Sequence, residues 1–272
     1  MNLKRCFLTK NECYHRNVHI RPCGVMVHST GANNPWLKRY VQPDDGRLGT
    51  NTAGTHWNQW HPGGKKVCVH AFIGKLADGA IATYQTLPWD IRGWHSGVGK
   101  KGSANDLGYI GFEICEDGLA DPAYFQRVYK EAVELTAYLC EKFNLNPQSQ
   151  VICHSEGHTK GIASNHGDVM HWFPKHGKNM DMFRKDVMVE MKKTAPVQSV
   201  ANQPTAVSYR VKVSTPALRI RKGPGTNYSI TGVVRDMGIY TITQESVGTG
   251  AKKWGKLKSG LGWISLDYTK KV

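Results

Sequence analysis

The chain has 272 residues, a length that allows one large domain or two smaller ones. Hydrophobic residues make up 40% and charged residues 21%, an ordinary globular composition that excludes a disordered or fibrous chain. The 36 Lys and Arg exceed the 21 Asp and Glu by 15, so the charge favours a polyanionic partner such as nucleic acid, an anionic membrane or an acidic cell-wall polymer.

The sequence contains no apolar run near the roughly 18–20 residues that cross a bilayer, so no stable membrane insertion is expected. Its first 16 residues are rich in charge and lack the apolar stretch of a secretory signal. We therefore expect synthesis in the cytoplasm without signal-dependent export. The seven cysteines form no CxxC pair, so we expect free thiols, four of them buried in apolar segments: Cys68, Cys115, Cys140 and Cys153.

Residues 194–206 divide the chain, because this stretch has no charge, two prolines and small polar side chains. Such a composition is typical of an extended linker. The sequence thus predicts one domain over residues 1–193 and a second over 207–272. The second carries a net charge of +9, so most of the basicity lies there.

The first domain alternates strand-like and helix-like patterns. A helix is predicted to begin after Asp121, which precedes a proline, and to end near Asn144; a second helix is predicted over 180–191. A turn at 77–79 predicts a hairpin. The expected fold is α/β, with a mixed β-sheet flanked by helices. Its predicted strands are residues 24–30, 67–73, 80–86, 109–115 and 150–154.

The second domain is composed of short strand-like runs and turns, which predict a small all-β barrel. Six runs are recognised, over residues 218–221, 222–228, 230–234, 240–243, 254–257 and 262–264.

Histidines at the ends of strands are the chemically informative feature of the first domain. His28 and His154 each end an apolar run, and Asp168 lies in the polar loop that follows the second. Two imidazoles and one carboxylate with an open fourth position form a common catalytic zinc site. The same spacing also fits ordinary core or surface histidines, so the residues alone leave both interpretations open.

Four motifs in order along the chain strengthen the prediction of a metal site. Together they resemble the zinc-dependent N-acetylmuramoyl-L-alanine amidases of the amidase-2 type, which share a fold with the peptidoglycan recognition proteins. The resemblance covers about residues 15–190, and residues 161–177 are similar to the branch found in prophage and cell-wall lysins of Gram-positive bacteria. The motifs are residues 25–30 (VMVHST), 93–97 (GWHSG), 109–113 (YIGFE) and 152–156 (ICHSE).

The resemblance implies that His28, His154 and Asp168 bind Zn²⁺. His166 is the main alternative for the third ligand; His171 and His176 are further ones. His154 and His158 are four residues apart, but HSEGH differs from the His-Glu-x-x-His zincin pattern, and Gly157 and Gly161 argue against the helix that it requires. Cys153 is expected to point away from His154, because strand side chains alternate.

The resemblance also implies catalytic and binding roles. Glu113 matches the glutamate that accepts the proton of the attacking water, since Val69 occupies the position where some relatives use a tyrosine. His166 stands where several relatives have a lysine that stabilises the oxyanion. Trp94 is the preferred substrate-binding residue, and His95 and His70 are expected to line the groove or support the ligands.

The second domain resembles a bacterial SH3 (SH3b) domain over about residues 208–269. The motifs that carry this are 218–228 (LRIRKGPGTNY), 254–257 (WGKL) and 262–264 (GWI). In lysins such a domain binds the cell wall, so the expected partners are peptidoglycan and anionic wall polymers. No nucleic-acid motif is present, so nucleic acid is not expected.

The predicted function is therefore a modular lysin, a zinc amidase that an SH3b domain holds on the Gram-positive wall. A phage or prophage endolysin released by a holin fits, as does an autolysin exported by another route. The alternatives are a non-catalytic peptidoglycan receptor on the same fold, and a Cys-His endopeptidase with Cys23 or Cys153 as nucleophile.

Overall fold

A computed structural model describes residues 1–194 and 205–272 of the chain. It separates into two compact units, Met1–Thr194 and Ala195–Val272. Most of the predicted linker, residues 195–204, lies outside the described residues. Among those that are described, no helix combines the length and the apolar character needed to cross a membrane.

The first unit contains a six-stranded mixed sheet flanked by helices, which confirms the predicted fold class. The strand order is β1-β4-β3-β5-β2-β6, with β3 and β4 antiparallel and all other pairs parallel. The strands are β1 (Leu3–Arg5), β2 (Gly24–Asn33), β3 (Ala71–Lys75), β4 (Ile81–Gln85), β5 (Tyr109–Glu116) and β6 (Val151–Cys153). The helices are α1 (Glu12–Arg16), α2 (Ala104–Leu107), α3 (Pro122–Phe143), α4 (Pro147–Gln150), α5 (His154–Lys160) and α6 (Met180–Thr194).

The main core lies between one face of this sheet and helices α3 and α6. Side chains alternate along a strand, so Val25 and Val27 of β2 face the same side as Ile110 and Phe112 of β5. These four pack in one buried cluster with residues of both helices, among them Phe125, Val128, Leu135, Phe183 and Val187. Helix α3 starts as predicted, because the Asp121 carboxylate accepts hydrogen bonds from the N–H groups of Ala123 and Tyr124.

The opposite face of the sheet carries the polar residues of the predicted site. Met26 and His28 of β2 point to this side, and Glu113 of β5 is the direct register partner of His28. Met26 packs there with Ala104 of α2 and with Ala163, which follows α5. The His28–Glu113 pair therefore lies on the sheet face opposite the main core, on the same side as these short helices.

Helix α5 corrects the prediction for residues 154–161. The strand ends at Cys153, and His154 is the first residue of a helix that the sequence argument considered doubtful. Gly157 is accommodated because α5 packs closely against β2: a Cβ at this position would lie 2.7 Å from the Met26 methyl carbon. Gly161 ends the helix with a φ of 81°, a conformation that favours glycine.

The second unit is a seven-stranded sheet in which every pair is antiparallel. The strand order is β13-β7-β10-β11-β12-β8-β9. Two strands that the sequence analysis missed, the first and the last, pair with each other. The strands are β7 (Thr205–Val213), β8 (Leu218–Arg221), β9 (Ile230–Val234), β10 (Ile239–Gly248), β11 (Ala251–Leu257), β12 (Trp263–Ser265) and β13 (Thr269–Lys271).

Candidate metal centre and active site

Three side chains with metal-binding atoms converge where β2, α5 and the loop after α5 meet. The Nδ1 atom of His28 lies 3.1 Å from Nδ1 of His154 and 3.1 Å from Oδ2 of Asp168. The His154 Nδ1 is 3.7 Å from the Asp168 Oδ1. Both histidines are almost fully buried, with 1% and 3% of their surface exposed.

The donor set fits a tetrahedral zinc ion. Zinc–nitrogen bonds of about 2.0–2.1 Å place neighbouring ligand atoms roughly 3.3 Å apart, close to the separations found here. Two Nδ1 atoms that face each other at 3.1 Å cannot both present lone pairs without repulsion. A cation between them would relieve this repulsion and neutralise the partly buried Asp168 carboxylate.

The local electrostatics favour metal-binding protonation states at His154 and Asp168, whereas at His28 burial is outweighed by the Asp168 carboxylate, which raises the pKa of that ring. Burial, with help from neighbouring His28, lowers the pKa of His154 to about 4, so its imidazole is neutral at pH 7. Burial by itself would raise the pKa of Asp168, but its pairing with the His28 ring outweighs burial and holds that pKa below its usual value. A neutral imidazole and an ionised carboxylate are the protonation states that bind metal.

A chain of hydrogen bonds fixes the tautomer of His28. The Nε2 atom of His95 lies 3.1 Å from the carbonyl oxygen of Tyr109 and must donate to it, because a carbonyl only accepts. The His95 Nδ1 then accepts from the Nε2–H of His28 at 3.0 Å. When it is neutral, His28 therefore has an unprotonated Nδ1 directed at the other two donors. Gly111 makes room for this, since a Cβ there would overlap the His95 ring.

A second hydrogen-bond chain orients His154. The Oγ of Ser164 donates to the carbonyl oxygen of Ser96 at 3.2 Å and lies 3.3 Å from Nε2 of His154. The His154 Nε2–H can therefore donate to Ser164, which leaves Nδ1 for a metal. The sequence analysis missed Ser164, because a single serine in a polar loop carries no recognisable pattern.

Glu113 lies next to His28 on the neighbouring strand. Its Oε2 atom is buried and has no hydrogen-bond partner among the described residues. Burial raises the pKa of Glu113 to about 8, with smaller contributions from the other charges of the site. The carboxyl group can therefore hold a proton near neutral pH.

His166 and the other alternative ligands lie apart from the three donors. His166 is exposed, and its Nδ1 is 3.3 Å from Nε2 of His154, the nitrogen that faces away from the cluster. The His171 Nε2 pairs with the Glu116 carboxylate at 2.9 Å. The remaining two are also engaged elsewhere: His176 stacks on Phe125, and Nδ1 of His158 lies 3.3 Å from the Ala163 carbonyl oxygen.

The three residues expected to line the substrate groove, Trp94, His95 and His70, lie in different surroundings. His70 is fully buried, and its nitrogens bind the Ile91 carbonyl and the Gly111 N–H. Trp94 is partly exposed and lines a cleft of about 180 Å³ whose described lining includes Arg16 and none of the three donors. His95 contacts Nε2 of His28, the nitrogen that faces away from the three donors.

The two thiols considered as nucleophiles are poorly activated. Cys153 is buried, and burial raises its pKa. Burial likewise raises the pKa of Cys23, whose Sγ donates to the Leu107 carbonyl. A nucleophilic cysteine needs the opposite shift, toward the thiolate.

The sequence profile of one family, described as N-acetylmuramoyl-L-alanine amidase, matches residues 19–170, which is more than half of the chain. The chain belongs to the N-acetylmuramoyl-L-alanine amidase family. The amidase region contains all three converging donors, Glu113 and both hydrogen-bond chains behind the histidines. No curated protein sequence matches the chain.

Several solved structures are similar to this chain at low sequence identity. The catalytic domain of PlyG has 15% identity and a TM-score of 0.48; 74% of this chain and 100% of PlyG are covered. A mutant of PlyL has 15% identity and a TM-score of 0.48, with coverages of 69% and 99%. The Staphylococcus aureus hydrolase AmiA, in complex with its ligand, has 19% identity and a TM-score of 0.47, with coverages of 72% and 88%.

Proposed function

We propose that this chain is a zinc-dependent peptidoglycan amidase that cleaves the amide bond between N-acetylmuramic acid and the L-alanine of the stem peptide. The observation that carries the proposal is the convergence of the His28, His154 and Asp168 donor atoms beside Glu113, whose buried Oε2 has no hydrogen-bond partner among the described residues. Family membership supplies the class of substrate.

The three donors would hold Zn²⁺, which when bound makes a water molecule more acidic and polarises a carbonyl group. Glu113 would take the proton from the attacking water and deliver it to the departing L-alanine nitrogen. Burial raises the pKa of this carboxyl and a bound cation would lower it again, so the group could accept the proton and release it near neutral pH. The unpaired Oε2 leaves an acceptor free for the water.

His166 would assist at the exposed side of the site. It reaches the outer nitrogen of His154 and is open to solvent, so it can approach a substrate in a way that buried His70 cannot. Donating a hydrogen bond to the oxygen that becomes negative would stabilise the tetrahedral state. In this proposal His95 and His70 support the metal ligands, and Trp94 binds a more distant part of the substrate.

The second unit would be an SH3b domain that holds the enzyme on the wall, joined to the catalytic domain by residues 194–206. Three findings support this: the motif resemblance, the wholly antiparallel sheet and the net charge of +9 from residue 207 onward. The two-domain plan would suit a phage endolysin that acts on a Gram-positive wall.

The test measures loss of turbidity of purified Gram-positive walls and labels the amino termini that appear. We expect new L-alanine amino termini, loss of activity with EDTA and recovery with Zn²⁺. Glu113→Gln should lower the rate by about 10²–10⁴-fold, the usual contribution of a general base. The matched control is Glu134→Gln on α3, across the sheet from the site, which should retain full activity.

Lysis that EDTA leaves unchanged, or cleavage without L-alanine termini, would contradict the amidase. Wall binding without any cleavage by the zinc-loaded chain would favour the receptor alternative. Inhibition by a thiol-alkylating reagent would favour the endopeptidase.

A further inference from the structure

The second unit has a cleft of about 520 Å³ on the sheet face that points away from its core. Along β8, Leu218 and Ile220 belong to the core cluster, so Arg219 and Arg221 face the opposite side. In the same way Ile264 of β12 packs inward, and its neighbour Ser265 faces outward. The cleft therefore lies on an outer face formed by several strands.

Among the residues that the structure describes, three arginines and no acidic residue line this cleft. Arg219 and Arg235 are exposed and have no carboxylate partner among the described residues. The Nη1 group of Arg221 donates to the carbonyl oxygens of Thr226 and Tyr228, at 3.0 and 2.8 Å. These two hydrogen bonds orient the guanidinium group. The cleft thus presents three positive charges, one of them held in place.

The acidic residues of this unit do not neutralise the cleft. From residue 207 onward the chain has three acidic side chains. Asp236 accepts from the Tyr240 hydroxyl, Glu245 pairs with Lys253 at 2.7 Å and Asp267 accepts from the Lys252 backbone N–H. The positive charge of the cleft is left for an external anion.

Two buried polar atoms belong to residues that line the same cleft. Trp254 and Ser265 are direct partners across β11 and β12 and are 2% and 5% exposed. The Trp254 Nε1 and the Ser265 Oγ have no hydrogen-bond partner among the described residues. Unpaired buried donors are costly, so their presence beside an arginine cluster points to a ligand that accepts hydrogen bonds.

We propose that this arginine cleft binds successive phosphate groups of a phosphodiester-linked wall polymer. The inference rests on the proposed wall-binding role of the second unit. A single peptide carboxylate would neutralise one of the three arginines, whereas a polymer with a charge on every unit can pair with several. Guanidinium groups match the oxygens of phosphate in a two-pronged geometry, and the Trp254 and Ser265 donors add neutral hydrogen bonds.

The test uses the full chain and calorimetry with a glycerol phosphate oligomer of about six units. Arg219→Gln combined with Arg235→Gln should weaken binding by about tenfold or more, since hydrogen bonds between charged groups are lost. The control, Arg210→Gln combined with Lys258→Gln, removes the same charge from residues outside the cleft and should change affinity less than threefold. Neither pair should alter cleavage of a soluble muropeptide, which tests the amidase independently.

Cosedimentation with walls then identifies the source of the anion. Hydrofluoric acid removes phosphodiester polymers, so the wild-type chain should bind stripped walls about as weakly as the cleft variant binds intact walls. Equal weakening by both pairs of substitutions would show a diffuse charge effect and overturn the proposal. Absence of binding to the oligomer would also overturn it. Wild-type binding to stripped walls that remains strong and sensitive to the cleft arginines would overturn it as well, and would indicate a peptide carboxylate as the ligand.

Discussion

The two histidine donors are each held by a hydrogen bond on the nitrogen that does not face the cluster. His28 is held through His95 to the Tyr109 carbonyl, and His154 through Ser164 to the Ser96 carbonyl. Both chains end on a backbone carbonyl, a group that can only accept, which sets the proton on neutral His28 and allows the same arrangement at His154. In the proposed zinc site, Nδ1 would then be the ligand atom of both residues.

The hydrogen-bond chain from His28 through His95 to the Tyr109 carbonyl leads to a prediction for substitutions of His95. In His95→Leu the acceptor for the His28 Nε2–H is lost, so zinc affinity should fall by about 10–100-fold, as is usual when a partner of a metal ligand is removed. His95→Asn places an amide oxygen near the former Nδ1 position and should restore much of the affinity. The measurement is competition with a chromophoric chelator, without substrate.

His19→Leu serves as the matched control, because His19 is exposed and pairs with Asp90 at the surface. It should leave zinc affinity unchanged. Equal losses in His95→Leu and His95→Asn would show that the ring fills space and has no orienting role.

Among the helices and strands, the sequence predicted the elements whose sequence signals are local. Helix α3 carries its own capping residue and an apolar stripe, so both its ends could be predicted within a residue or two. Helix α5 could not, because Gly157 weakens a helix locally and is tolerated only where β2 approaches closely. The final strand, β13, is three residues long and exists through its pairing with β7.

Helix α1 is tied to the segment that follows residue 60 through one carboxylate. Glu12 is buried and pairs with His61, Lys66 and Arg16. The hydrogen bond from His61, and then that from Lys66, lowers the pKa of Glu12 to about 2. A carboxyl group whose pKa is lowered by folding stabilises the protein above its unfolded pKa of about 4.5, and this contribution is lost as the pH falls toward 2.

We therefore expect Glu12→Gln to be less stable than the wild type at pH 7, with a difference that shrinks between pH 4.5 and pH 3. Urea unfolding of both proteins at several pH values measures it. A difference that stays constant with pH would mean that Glu12 acts through packing and not through its charge. Asp78→Asn, in the exposed β3–β4 turn, should show no such trend.

At the scale of the whole molecule, charge is divided unequally between the two units. Residues from 207 onward carry +9 of the total of +15, and the larger first unit carries the remainder. Attraction between exposed charges weakens as salt shortens the screening length from about 10 Å at 0.1 M to about 3 Å at 1 M. Binding to the wall and cleavage chemistry should therefore respond differently to salt.

Deleting residues 207–272 should weaken binding to intact walls severalfold at low salt and leave cleavage of a soluble muropeptide within about twofold. The difference in wall binding between the full and shortened chains should narrow as NaCl rises to 1 M. Cosedimentation measures the first quantity and amino-terminal labelling the second. Loss of both together would indicate that the shortened chain has lost its fold, which circular dichroism can check.

The sequence by itself determined the α/β class of the first unit, the ends of α3, the family motifs and the identity of His28, His154, Asp168 and Glu113 as candidates. These depend on residue type and on spacing along the chain. Tertiary structure alone decided which of the many histidines meet, because His28 and Asp168 are 140 residues apart and pair only when β2 and the loop after α5 are brought together. It also decided the supporting roles of His95 and Ser164 and the arginine cleft of the second unit, since each arises from side chains of different strands or loops that share no pattern in sequence.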